Sequence, residues 1–258
     1  MTQLHYKLYP NNNKRHLIIL HGLLGSSDNW RTICKQLQAD FNIICPDCRN
    51  HGQSFHSATM SYTDMATDII NLISALDIAP CYIIGHSMGG KIAMNCLQQQ
   101  PTAFKKALIV DIAPKAYNHQ HQNVFEAIQS LTLSTMQQRT DIINQLSTFK
   151  LDIATQQLIL KNIGRNQQQQ FYWKPNINAL SANYTSVMNN STTNQPITTP
   201  TLFLAGEQST YIQHTDYPII HQLFKRAQIT EIAGVGHWLQ AEKPILFCEK
   251  ATDFFKST

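Results

Sequence analysis

Residues Cys81 to Lys91 read CYIIGHSMGGK, and this stretch decides how the rest of the chain is interpreted. The apolar run at 81–84 is typical of a buried strand, and residues 88–99 have the apolar spacing of a helix. Between them lies G-x-S-x-G, in which small residues permit a strained turn that exposes the central serine. The arrangement predicts Ser87 as a nucleophile; the alternative is a tight turn around a buried serine.

Strand and helix patterns alternate on both sides of this motif. Each predicted strand is a short apolar run without alternation, as expected for parallel strands covered on both faces. Strand, helix and strand in repetition predict an α/β fold with a mostly parallel, doubly wound sheet. The predicted strands are 16–20, 41–45, 81–84, 107–111, 201–205 and 228–232, and the predicted helices beside them are 29–38, 62–76 (with Ser61 as N-cap), 88–99 and 241–255.

Residues 115–196 interrupt this alternation. They contain no convincing strand, and a glutamine run at 167–170 is typical of a solvated loop. An insertion of helices into such a sheet is expected to lie over the carboxyl ends of the strands, where open α/β sheets bind ligands. We predict a core of residues 1–114 and 197–258 with a helical cap of residues 115–196. The helical patches are 124–131, 142–146, 158–163 and 179–188.

Composition excludes several classes of protein. The 258 residues are 43% hydrophobic and carry a net charge of +4, with Lys and Arg scattered, so a nucleic-acid partner is not expected. No stretch resembles a signal peptide or a membrane-spanning helix. Cys45 and Cys48 form a C-x-x-C, but no second cysteine pair or histidine cluster follows, so neither a metal site nor a redox pair is predicted. We expect a reduced, cytoplasmic protein, either monomer or homodimer.

A base and an oxyanion site accompany the serine. His237 lies on a glycine-flanked loop after the last predicted strand, which fits the order serine, acid, histidine. The backbone N–H groups of Leu23 and Met88 are predicted to bind the oxyanion. The alternatives are a structural histidine and an ordinary glycine turn. The neighbouring residues predicted to form the substrate pocket are His21, Gly22, Leu24, His86 and Trp238.

These motifs together resemble the α/β-hydrolase superfamily over essentially the whole chain. Further stretches look like those of the YbfF-type bacterial esterases, a group similar to a mitochondrial α/β-hydrolase of eukaryotes. The resemblance implies an α/β-hydrolase fold and hydrolysis of small acyl esters and, for some members, acyl-CoA thioesters. The stretches are Asp47–Ser54 (D-x-R-x-H-G-x-S), His86–Lys91, Val110–Pro114, and Gly236–Trp238 with Ala241–Pro244.

The acid of the triad departs from the commonest superfamily pattern. The position three residues past Gly206, where that pattern places an Asp, is occupied by Ser209. Asp111, at the end of the strand after the nucleophile's own, is the location that the YbfF-type resemblance indicates. Glu207 is the alternative acid, and Asp216 is predicted to cap a helix.

The predicted activity is that of a serine carboxylesterase acting on short- to medium-chain acyl esters, with acyl-CoA thioesters as a further substrate class. Neither metal nor cofactor is implied. The alternatives are a lyase or C–C bond hydrolase on the same fold, or a non-catalytic receptor or scaffold; dehalogenases and epoxide hydrolases need an Asp where Ser87 stands.

Weaker signals come from aromatic and basic residues and from the D-x-R-x-H-G-x-S loop. That loop is predicted to organise the region beside the pocket. Phe125, Tyr184 and Tyr211, with Trp238, are candidates for an acyl pocket, against the alternative of ordinary core positions. Solvent exposure is expected for most of the lysines near the active-site strands, with contacts to coenzyme A phosphates as the alternative. These lysines are Lys91, Lys105, Lys106 and Lys115.

Overall fold

The computed structural model describes residues 3–12, 15–118, 122–190, 192–193 and 195–257. Within them, a seven-stranded sheet has the order β1-β3-β2-β4-β5-β8-β9, parallel except for the edge strand β1, and β6 and β7 form a separate antiparallel hairpin. The strands are β1 Tyr6–Tyr9, β2 His16–Leu20, β3 Asn42–Pro46, β4 Cys81–His86, β5 Phe104–Val110, β6 Ile163–Arg165, β7 Phe171–Trp173, β8 Thr201–Gly206 and β9 Ala227–Ile232.

Helices cover both faces of the sheet. Short 3-10 turns occur at Ser27–Trp30, Pro101–Ala103, Leu133–Thr135 and His214–Asp216. The α-helices are α1 Arg31–Leu37, α2 Tyr62–Ala75, α3 Met88–Gln99, α4 Gln122–Ser130, α5 Arg139–Ser147, α6 Ile153–Lys161, α7 Ile177–Ala182, α8 Tyr184–Met188, α9 Tyr217–Leu223, α10 Leu239–Glu242 and α11 Pro244–Lys256. None of the helices in this described part has the length and apolar character needed to cross a bilayer.

The core has two layers because side chains alternate between the faces of each strand. In β2, Leu17 and Ile19 belong to the buried cluster that contains the apolar faces of α1 and α11. Ile18 and Leu20 belong to the opposite cluster, which contains those of α2 and α3. Burial on both sides explains the continuous apolar runs, and it confirms the predicted α/β fold with a mostly parallel sheet.

Helix α2 begins as its sequence predicts. Ser61 Oγ accepts a hydrogen bond from the Asp64 N–H at 3.0 Å, and the Asp64 carboxylate accepts one from the Ser61 N–H at 3.1 Å. This reciprocal capping box satisfies N–H groups that the first helical turn leaves without intrahelical partners. Ser61 is therefore the N-cap of α2, as predicted.

The segment between β5 and β8 differs from the prediction that it contains no strand. Strands β6 and β7 pair there, with Ile163 opposite Trp173, and the glutamine run at 167–170 forms the exposed turn between them. Edge strand β1 and helix α9 also lie outside the predicted elements. These strands have only three or four residues and are partly exposed, so neither an apolar run nor a long alternation marks them.

Candidate active site

Ser87 occupies a strained turn between β4 and α3. Its φ of 52° lies in the left-handed region, which is unusual for a residue with a side chain. A Cβ atom on Gly85 would lie 2.2 Å from the Gly89 carbonyl oxygen, and one on Gly89 would lie 2.6 Å from the Leu20 carbonyl oxygen. The turn therefore requires glycine on both sides of the serine. The Ser87 N–H donates to the Val110 carbonyl oxygen at 3.0 Å, which ties the turn to β5.

His237 and Asp111 form a direct pair beside this turn. The His237 Nδ1 lies 2.7 Å from Asp111 Oδ2, and the Asp111 side chain is completely buried just after β5. Asp111 Oδ1 accepts a further hydrogen bond from the Gly206 N–H at 3.2 Å. A carboxylate on Nδ1 holds the proton there, so the Nε2 atom of a neutral imidazole is left as the acceptor.

Glu207, the alternative acid of the sequence analysis, lies elsewhere. Its exposed carboxylate accepts a hydrogen bond from the Gly234 N–H at 2.7 Å. Glu242 similarly accepts from the Gly236 N–H at 3.1 Å. Both glutamates thus hold the loop that carries His237 and do not contact its imidazole. Asp216, at the N-cap position of α9, pairs with Lys115 at 2.6 Å.

Ser209 joins the pair between Asp111 and His237. Its hydroxyl donates to Asp111 Oδ2, the same oxygen that faces His237 Nδ1, and it accepts from the Tyr211 N–H at 3.2 Å. The sequence pattern marked Ser209 only as a position where the superfamily commonly has an Asp. Its proximity to Asp111 follows from the pairing of β5 with β8, which places the ends of these strands side by side.

Tyr211 packs directly on the imidazole of His237. The two rings are stacked, with centroids 3.8 Å apart and planes inclined by 17°. The backbone carbonyl of Tyr211 accepts a hydrogen bond from the Tyr117 hydroxyl at 2.6 Å. Tyr117 therefore anchors the segment that fixes one face of the imidazole. Tyr211 was predicted only as a candidate for an acyl pocket, and neither contact was predicted from the sequence.

The loop that carries Leu23, one of the two predicted oxyanion donors, is held by two histidines. His51 Nε2 accepts from the Leu24 N–H at 3.1 Å, while His51 Nδ1 lies 2.9 Å from the Arg49 carbonyl oxygen. His21 Nε2 accepts from the Cys48 N–H at 3.0 Å. Burial lowers the pKa of both imidazoles, that of His51 to about 3, which keeps them neutral acceptors. The D-x-R-x-H-G-x-S loop thereby supports the Leu23 loop.

A cavity of about 320 Å³ brings these groups together. Ser87, His237, Leu23, Met88 and Tyr211 line it, and so do four of the five predicted pocket residues, namely Gly22, Leu24, His86 and Trp238. His21 does not, so its assignment to the pocket wall was wrong: its ring is completely buried against backbone, with Nδ1 also 2.8 Å from the Gly22 carbonyl oxygen. Phe125 and Tyr184 do not line it either; their rings pack together at 5.0 Å.

His86 connects the serine turn to the histidine loop. Its Nε2 lies 2.9 Å from the His237 carbonyl oxygen. Burial, with a contribution from the neighbouring His237, lowers the pKa of His86 well below its usual value. A neutral His86 donates one hydrogen bond to that carbonyl, which fixes the backbone of the residue that carries the candidate base.

Of the four lysines near the active-site strands, Lys91 differs most from the expected solvent exposure. Only 1% of its surface is exposed, and it lines the cavity. Burial lowers the pKa of its amine to about 7. Lys105 is exposed as expected. Lys106 and Lys115 are half-buried, bonded to the Phe254 carbonyl oxygen and to Asp216 respectively.

The cysteines are distributed through the interior and are not paired. All six are free, buried thiols, and Cys45 lies in β3. Over the described ranges, no group of three or more His, Cys, Asp or Glu side chains is arranged to hold a metal ion.

Known proteins that are similar to this chain include esterases and a lipase. The sn-1-specific diacylglycerol lipase ABHD11 of Danio rerio is 33% identical over 93% of this chain and 78% of the relative. Esterase YbfF of Escherichia coli is 31% identical over 90% of this chain and 89% of its own. A solved structure, a marine microorganism esterase, superposes with a TM-score of 0.95 at 37% identity, covering 98% of this chain and all of that one.

The family profile described as alpha/beta hydrolase fold matches residues 15–244, which is most of the chain. The relatives named above are esterases and lipases, and the similarity to YbfF confirms the resemblance found in the sequence. The chain belongs to the α/β-hydrolase family.

Proposed function

We propose that the protein is a serine carboxylesterase that hydrolyses short- to medium-chain acyl esters through an acyl-enzyme on Ser87. The observation that carries this proposal is the 2.7 Å contact between Asp111 Oδ2 and Nδ1 of His237, a residue that lines the same cavity as Ser87. A serine, an imidazole and a buried carboxylate in this order are the groups that acyl transfer requires. The esterase relatives support the same reaction class.

In the first half-reaction, the Ser87 hydroxyl attacks the ester carbonyl and its proton passes to His237 Nε2. The bond to Asp111 stabilises the resulting imidazolium. The carbonyl oxygen becomes an oxyanion, which accepts hydrogen bonds from the Leu23 and Met88 N–H groups. When the tetrahedral intermediate collapses, His237 returns the proton to the departing alcohol, and the acyl group remains on Ser87.

In the second half-reaction, water replaces the alcohol. His237 takes one proton from the attacking water, the same N–H groups bind the new oxyanion, and collapse releases the carboxylic acid while Ser87 regains its proton. Tyr211, stacked on the imidazole, and His86, bonded to the His237 backbone, keep the base in place through both steps. Such fixed geometry lowers the reorganisation cost of each proton transfer.

We also propose that residues 115–196 act as a cap that selects the acyl group. Apolar side chains of this segment, among them Val124, Leu158, Val187 and Met188, line the same cavity as Ser87. A cavity of about 320 Å³ is at the small end for ligand pockets. We therefore expect short and medium acyl chains to fit better than long ones.

The test is hydrolysis of p-nitrophenyl acetate, butyrate, octanoate and palmitate by the wild type and by Ser87→Ala. The proposal predicts turnover that peaks at butyrate or octanoate and is abolished by the substitution. Labelling of the wild type by a fluorophosphonate, absent in Ser87→Ala, checks the nucleophile independently of substrate choice. A folded protein that shows neither turnover nor labelling would favour a lyase, a C–C bond hydrolase or a non-catalytic receptor.

A further inference from the structure

Lys91 is a buried amine in the wall of the cavity, and the proposed ester hydrolysis does not use it. It lies on α3, four residues after Ser87, which is one helical turn along the same face. Its Nζ donates to the Asn189 carbonyl oxygen at 2.7 Å and is 3.4 Å from that of Met188. It also faces the rings of Tyr117 and Tyr62, with centroids at 4.9 Å and 5.6 Å.

These partners are neutral. The ion pairs found within the described residues do not include Lys91, and the nearby Lys115 is already matched by Asp216. Carbonyl oxygens and aromatic faces compensate an ammonium only in part, so a buried lysine without a carboxylate is costly for the protein to keep charged. An apolar residue in this position would fill the wall without that cost.

We infer that Lys91 forms an anion-binding subsite, and that the acyl groups taken by the cavity end in a carboxylate. An ammonium has three donors, and a carboxylate from the substrate would supply both a strong acceptor and the missing negative charge. The preferred substrates would then be monoesters of dicarboxylic acids. This inference rests on the proposed esterase function.

The position of Lys91 assigns the subsite to the acyl half of the substrate. The alcohol half leaves first and has to reach solvent, whereas the acyl half stays attached to Ser87 until water attacks. The buried part of the cavity lining is therefore suited to the acyl half. Lys91, with 1% of its surface exposed, belongs to this buried part, whereas Lys150 and Asp152 are exposed residues of the same lining.

The test compares matched p-nitrophenyl esters. The adipate monoester carries a terminal carboxylate where the hexanoate ester carries a methyl group, and the suberate monoester and the octanoate ester form a longer pair. We expect the wild type to favour the carboxylate member of at least one pair in kcat/KM. Lys91→Met is expected to lower that preference by about tenfold through the KM of the carboxylate member, the loss typical of a hydrogen bond to a charged group.

Two controls keep the outcome interpretable. Lys105→Met removes the same charge from an exposed site and is expected to leave the preference unchanged. If Lys91→Met fails to fold, the wild type alone decides, because the ester of the neutral adipic monoamide has nearly the shape of the adipate monoester and lacks its charge.

Equal rates on the adipate monoester and its neutral amide, or an equal loss on adipate and hexanoate in Lys91→Met, would overturn the inference and leave the esterase function intact. Absence of turnover on every ester, hexanoate included, would instead overturn the proposed function.

Discussion

The ends of strands β5 and β8 lie side by side, yet they contribute different groups to the hydrogen-bond network of His237. Val110 of β5 pairs with Leu204 of β8, and the Asp111 N–H donates to the Leu204 carbonyl oxygen at 2.8 Å. The β5 end supplies the carboxylate of Asp111, and the β8 end supplies the hydroxyl of Ser209. His237 thus contacts a carboxylate from one strand end and, through that carboxylate, is linked to a hydroxyl from the other.

The largest effect is expected from Asp111→Asn, which removes the carboxylate from the β5 end. An amide in this position no longer stabilises the imidazolium and no longer fixes the proton on His237 Nδ1, so kcat/KM is expected to fall by about 10⁴-fold. The measurement is p-nitrophenyl butyrate hydrolysis, with thermal unfolding to establish that the variant is folded. A folded variant with near-wild-type turnover would show that another group acts as the acid.

A smaller effect is expected when the two strand ends exchange their groups. The double variant Asp111→Ser/Ser209→Asp places a carboxylate at the β8 end, where the Ser209 hydroxyl already contacts the oxygen that faces His237. We expect its kcat/KM to exceed that of Asp111→Ser alone by about tenfold to a hundredfold, a coupling of the size found between residues in contact. Strictly additive losses in the two single variants and the double variant would show that the β8 end is not within reach.

Ser209→Ala tests the hydroxyl by itself and is expected to have a more modest effect. The substitution removes one of the hydrogen bonds that orient the Asp111 carboxylate, so kcat is expected to fall by about threefold to tenfold with KM unchanged. Ser209→Thr retains the hydroxyl and serves as the matched control. Equal losses in the alanine and threonine variants would assign Ser209 to packing and not to orientation of the acid.

The sequence predicted the fold best where strands are buried on both faces of the sheet. The strands of the sheet interior were predicted to within about three residues at each end, because their apolar runs reflect helices on both faces. The serine turn was recognisable because it requires its glycines: a Cβ atom at Gly85 or Gly89 would lie only 2.2 Å or 2.6 Å from a backbone carbonyl oxygen. Asp111 was predicted as the acid from its place at a strand end and from the family resemblance, and its carboxylate contacts His237 Nδ1 at 2.7 Å.

Contacts between residues that are distant in the chain could not be predicted from local sequence patterns. The stacking of Tyr211 on His237 and the bond from Ser209 to Asp111 depend on how three loops meet above the sheet. Lys91 shows the same limit, since a lysine near a helix start is usually exposed, and its burial depends on the segment that ends at Asn189. The pattern Phe-Tyr-Trp at 171–173 was the available signal for β7, but three residues are too few to establish a strand period.

The smallest effect is expected from Glu207→Gln, which changes a carboxylate at the β8 end. Glu207 is the one carboxylate directly after β8, but its oxygen accepts from the Gly234 N–H, and a glutamine side-chain oxygen is able to accept the same bond. We therefore expect kcat/KM to stay within about twofold of the wild type in the assay used for Asp111→Asn. Because both substitutions convert a carboxylate to an amide, their difference measures position alone. A loss of a hundredfold or more in Glu207→Gln would move the acid to the β8 end and remove the basis for assigning it to β5.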